Sequence, residues 1–171
     1  MIVYFILGVT LLTSPFLSFG KSLDEVVIDA AHFFGIEEHE YEIEFISGRV
    51  LNAAGEEVSG TINEYECEEG SIVYKIRIQR SILRPLTIAT IFHEFAHAAQ
   101  LKYELLDKYD MFGEYNREQH AELYAFNVMW QSGYWWNAVH MLILHTFGGK
   151  PSQYRAPATM WNTVLTGANA V

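Results

Sequence analysis

The chain contains one cysteine, Cys67. That excludes an intramolecular disulfide and any zinc site built from several thiolates. A nucleophilic thiolate is disfavoured too, because Glu66, Glu68 and Glu69 surround Cys67 with negative charge. Basic side chains are also scarce: 11 Lys and Arg against 21 Asp and Glu leave a formal net charge of −10. No run of Lys or Arg occurs anywhere, which argues against nucleic acid as a partner. Internal repeats and low-complexity tracts are absent. What remains is 171 residues, half of them hydrophobic and 15% aromatic, enough for one domain with a sizeable core.

Charge is missing altogether from residues 1–20. Ile2 to Leu12 is almost uninterrupted apolar sequence, followed by Pro15 and then Ser18-Phe19-Gly20. Small residues at positions −3 and −1 of a cut after Gly20 fit a secretory signal peptide, although no basic residue precedes the apolar run. A retained membrane tether through residues 2–19 is the main alternative, and a buried N-terminal element a further one. Pro15 and the Thr13-Ser14 pair favour the shorter apolar core of a cleaved leader. The expected organisation is a leader or anchor over residues 1–20 and one domain over 21–171. Its expected location is secreted or periplasmic, or membrane-anchored if the leader stays.

The apolar spacing of Leu23, Val26, Val27, Ala30, Ala31 and Phe34 predicts an amphipathic helix from Ser22 to Phe34, capped by Ser22 and stopped at Gly35. Strand-like alternation follows in Tyr41 to Phe45 and Ile72 to Ile78, with a weaker strand over Val58 to Tyr65 and turns at 52–55 and 59–60. A small antiparallel sheet is expected. Beyond it, Leu86 to Leu106 contains no Gly or Pro and predicts one long helix, opened by Arg84-Pro85. Further helices are expected over Glu114 to Gln131 and Trp135 to Phe147, with a short turn at Trp161 to Leu165. The order helix, sheet, helices predicts an α+β fold.

The long helix carries His93-Glu94-Phe95-Ala96-His97, an H-E-x-x-H string. Residues four apart on a helix share a face, so both imidazoles can meet one zinc ion. Glu94 sits one step round, where it can take a proton from a zinc-bound water without being a ligand. In a chain this rich in His and Glu the string arises by chance in roughly 3% of shuffled sequences, so context has to carry it. Ile88, Ile91, Phe92, Phe95, Ala96 and Ala99 make the helix apolar on several sides. Two histidines and a glutamate buried there need partners, and a metal supplies one; two core histidines bridged by water are the bland alternative. A catalytic zinc needs a third ligand. Glu118-Gln119-His120-Ala121-Glu122 places Glu118 and Glu122 on one helical face, with His120 pointing elsewhere. One carboxylate could ligate and the other orient an imidazole, unless the pair is simply a solvated acidic face.

Ile91 to Gln100 followed by Glu118 to Ala125 resembles the gluzincin zinc metallopeptidases, whose short members include the ImmA/IrrE-like and HtpX-like families. Their pattern is H-E-x-x-H on one helix and E-x-x-A-[DE] on the next. The resemblance spans roughly residues 72–129. It implies a zincin-like sheet packed on the zinc helix, one Zn2+ on His93, His97 and Glu118, and Glu94 as general base. It also implies Glu122 as partner of a ligand imidazole and Ile72 to Ile78 as an edge strand pairing with an extended peptide. Glu122 departs from the more usual aspartate, and His120 is the alternative third ligand, as in SprT-like relatives. The acidic chain, with export expected, differs from the intracellular and DNA-associated relatives, and its sequence lacks the several spans of HtpX-like enzymes. Tyr124, Tyr134, His140 and His145 are candidate oxyanion donors, each equally readable as a core residue. Trp130, Tyr134, Trp135, Trp136 and Trp161 read as core. The expected activity is hydrolysis of a peptide or protein substrate. A catalytically silent, zinc-stabilised binding protein is the alternative.

Overall fold

Ser22 opens the first helix, α1 (Leu23–Phe34), by a capping box: its hydroxyl accepts from the Glu25 N–H at 3.1 Å, and Glu25 accepts the Ser22 N–H at 2.6 Å. Gly35 closes it in the left-handed region at φ 65°, where a side chain would be strained. In this computed structural model the described residues are 20–67, 70–105, 117–147 and 156–166. Residues 1–19, most of the expected leader, lie outside them. Among the described residues no helix is long and apolar enough to cross a membrane.

After a 3-10 turn at Glu38–Glu40 come β1 (Tyr41–Ile46), β2 (Val50–Leu51), β3 (Glu57–Val58), β4 (Gly60–Glu66) and β5 (Ile72–Gln79). β2 and β3 form a small antiparallel hairpin, its turn held by Asn52, whose side-chain oxygen accepts from the Ala54 and Glu56 N–H groups at 3.0 and 2.9 Å. The other three strands form one sheet in the order β1-β5-β4.

Two expectations are corrected here. The sheet is mixed rather than antiparallel: β4 runs antiparallel to β5, but β1 is parallel to it, with Tyr41 opposite Tyr74 and Ile46 opposite Gln79. Alternation of apolar and charged residues determines which face each side chain takes and leaves strand direction open. The hairpin and β4 supply the long connection that a parallel pair needs. The Ile72 to Ile78 strand is central, not an edge; β1 and β4 are the two edges, and β4 is the one that borders α2 at Gly60. β5 turns Tyr74, Ile76 and Ile78 into the core. On the solvated face Glu44 and Arg77, opposite each other in register, pair at 3.4 Å.

α2 (Arg84–Lys102) lies at the centre, packed on α1, β4, β5, α3 (Arg117–Gln131) and α4 (Trp135–Phe147). It is buried on nearly every side, from Thr87 to Gln100, as its apolar composition requires. It ends at Lys102, short of the expected Leu106, which lies outside the described residues; the side chains of Lys102 and the cap residue Tyr103 bond the Gly35 carbonyl at 2.9 and 3.0 Å, and Glu104 follows at φ 51°. The short turn expected at Trp161 is part of a longer helix, α5 (Ala156–Thr166), which adds the buried Met160 to the core. The architecture is thus mixed α and β: among the described residues, five helices with a three-stranded and a two-stranded sheet.

Candidate metal centre

His93 and His97 lie one turn apart on α2, rings edge to face, with their Nε2 atoms 3.1 Å apart. Glu118, in the first turn of α3, brings Oε2 to 3.4 Å from His93 Nε2 and 3.3 Å from His97 Nε2. Among the described residues this is the one group of three His, Cys, Asp or Glu side chains whose ligand atoms converge so closely. The spacing can be compared with chemistry: donors about 2.05 Å from a tetrahedral zinc stand about 3.3 Å from one another. The three atoms fit a metal ion.

The electrostatics agree. The imidazoles against it, His93 foremost and then His97, hold the Glu118 carboxyl well below the usual carboxylate range, against the opposing effect of burial. Burial pulls the His93 imidazolium down, but the Glu118 hydrogen bond and the charges of Glu94, Glu122 and Glu118 outweigh it and push it up to about 8. The site therefore calls for positive charge at its centre.

Glu94 is 4% exposed. Burial raises its carboxyl above the ordinary range more than His93 and His97 lower it. β4 crosses it at Gly60, where a Cβ would stand 2.6 Å from Glu94 Oε1 and 2.8 Å from Thr90 Cγ2. Only a glycine lets the strand lie this close to the acid.

A second tier of polar groups surrounds the three atoms. Glu122 takes its place behind His93, with Oε1 3.9 Å from His93 Nδ1 and its other oxygen paired with His145 Nε2 from α4. Behind His97, Gln100 Oε1 is 2.7 Å from His97 Nδ1, while Gln100 Nε2 is 2.7 Å from His120 Nδ1 and 3.0 Å from the Arg117 carbonyl. Sequence reasoning missed Gln100. Its signal was a lone amide one turn after His97, inside the apolar stretch Ala98 to Leu101.

The structure brings Glu118 to the two imidazoles and His120 to Gln100 instead. Residues two apart on a helix point roughly 200° from one another, so both could not face one ion. Of the four candidate oxyanion donors only His145 reaches the cleft, and its Nε2 faces Glu122. Tyr124 packs edge-on to Phe34, Tyr134 bonds Asp29 at 2.5 Å, and His140 packs on Trp136. Cys67 lies outside the site.

The three converging residues and Glu94 open into a cleft of about 1150 Å³. The β2–β3 hairpin and the start of β4 form one wall, and Met141, Leu144 and His145 of α4 contribute to another. Comparison of the chain with known protein families, with curated proteins and with solved structures finds no match. The functional reading therefore stands on the motif and on this geometry. Chemically, the arrangement offers a cation site with a proton acceptor beside it, open to a large molecule.

Proposed function

We propose that this protein is a zinc-dependent metallopeptidase of the gluzincin type, acting on peptide or protein substrates. The reading is carried by one observation: His93, His97 and Glu118 meet at ligand spacing with the buried carboxyl of Glu94 beside them in an open cleft. Two imidazoles and one carboxylate are a donor set that suits zinc. When bound, the ion supplies Lewis acidity, polarising a carbonyl and acidifying water.

The chain's own groups do the rest. Glu94, with its proton affinity raised by burial, takes a proton from the attacking water and returns it to the departing nitrogen. Glu122, braced by His145, orients His93. The edge of β4 presents main-chain groups to an extended peptide, a mode that tolerates many sequences. In this reading the role first expected of Ile72 to Ile78 passes to β4. The leader adds secretion or tethering.

Native mass spectrometry of the purified chain should show one zinc per molecule and, by intact mass, whether residues 1–20 are removed. Glu94→Gln should keep the zinc and lose hydrolysis by roughly 100-fold or more. Unchanged hydrolysis in that variant would sink the mechanism. A wild-type chain that holds zinc yet cleaves no member of a panel of denatured proteins would instead be the silent binding protein.

A further inference from the structure

We infer that Gln100 is a positioning residue of this site: it selects the ligating tautomer of His97 and ties the helix that carries Glu118 to the helix that carries the two histidines. The inference rests on the metal-site reading above.

The side chain is fully buried, at 0% exposure. Three contacts define its amide: Nε2 to the Arg117 carbonyl at 3.0 Å, Nε2 to His120 Nδ1 at 2.7 Å, and Oε1 to His97 Nδ1 at 2.7 Å. A backbone carbonyl only accepts, so the amide must turn its NH2 toward Arg117. That removes the usual ambiguity between the amide's oxygen and nitrogen. One NH2 hydrogen serves Arg117 and the other faces His120 Nδ1, which must therefore be an unprotonated acceptor. Gln100 Oε1 also only accepts, so His97 must carry its proton on Nδ1. A neutral imidazole protonated there has its lone pair on Nε2. His97 Nε2 is the atom 3.1 Å from His93 Nε2 and 3.3 Å from Glu118 Oε2.

The same amide acts on the third ligand. The Arg117 carbonyl belongs to the peptide that joins Arg117 to Glu118, at the first turn of α3. Holding that carbonyl fixes where Glu118 starts from. A residue needed only for packing would be apolar here, as Ala98 and Ala99 are. A buried amide is tolerated because its partners satisfy it.

Nitrogen-detected NMR of the metal-free wild type should show His97 protonated on Nδ1 and His120 on Nε2. Gln100→Met keeps the volume and removes the polar contacts. Titrated with zinc against a chromophoric chelator, it should bind roughly 10- to 100-fold more weakly, and its His97 should populate both tautomers. Gln100→Glu, which keeps an oxygen opposite His97, should bind zinc more tightly than Gln100→Met. Wild-type zinc affinity in Gln100→Met would overturn the inference. So would His97 protonated on Nε2 in the wild type, a result that stands even if the variants fail to fold. Neither readout requires hydrolysis, so an inactive but correctly wired site would sink the peptidase reading and leave this one standing.

Discussion

At the scale of single residues, a proton in the metal-free chain takes the position that the proposal gives to zinc. His93 rises from an ordinary 6.5 to about 8 because Glu118, Glu94 and Glu122 surround it, even though burial works the other way. A folded-state value above the unfolded one means stability that is complete below pH 6.5 and lost as pH climbs through about 8. The metal-free protein should thus lose on the order of 2 kcal/mol between those limits, readable by urea unfolding across pH. Zinc affinity should move oppositely, increasing as His93 sheds its proton. Equal metal-free stability at both ends would contradict the assignment. Gly60 offers a second test. Gly60→Ala brings a Cβ against Glu94 Oε1, so zinc should still bind while kcat/KM falls by roughly tenfold or more, since small misplacements of a base are costly. His93, Glu94 and His97 were legible from spacing alone, because all three lie on one helix. Gly60 and Gln100 were not, since Gly60 matters through Glu94 on α2 and Gln100 through Arg117 and His120 on α3, all remote in the chain.

Among the elements, the clearest boundaries were those with a local chemical cause. α1 begins and ends where Ser22 and Gly35 require, and Trp135–Phe147 matches its expected limits. Gly35 is doubly constrained: its φ of 65° suits glycine, and a Cβ would collide with the Tyr103 hydroxyl that bonds its carbonyl. Gly35→Ala should cost about 2 kcal/mol, seen as a lower urea midpoint at unchanged slope, with zinc stoichiometry intact. The end of α2 was not legible, because it goes with the side chains of Lys102, its last residue, and Tyr103, its cap, reaching Gly35 and Glu40. Nor was the direction of β1. Its alternation of Tyr41, Ile43 and Phe45 with Glu42 and Glu44 would look the same in either orientation.

For the molecule as a whole, the candidate site joins two helices, with His93 and His97 on α2 and Glu118 on α3. An ion held across them stabilises the folded state by mass action, about 2.7 kcal/mol at a free concentration 100 times its Kd. Chelation should therefore lower the Tm by roughly 5–10 °C for a chain of this size, and added zinc should restore it. A melting curve indifferent to chelator would argue against a metal in the native protein. Residue order was enough for the local features: an acidic chain with one cysteine, an apolar helix bearing a His-Glu-x-x-His string, and two carboxylates on the following helix. Each of these depends on neighbours within a few positions, where helical and strand periods govern geometry. Glu118 was expected as third ligand only through a family resemblance, and the fold is what sets it against the imidazoles and His120 against Gln100. Only the fold, too, makes β5 central with β4 at an edge and brings Gln100 and His145 to brace the site. Those outcomes depend on which surfaces meet across the core, and no period along the chain encodes that meeting.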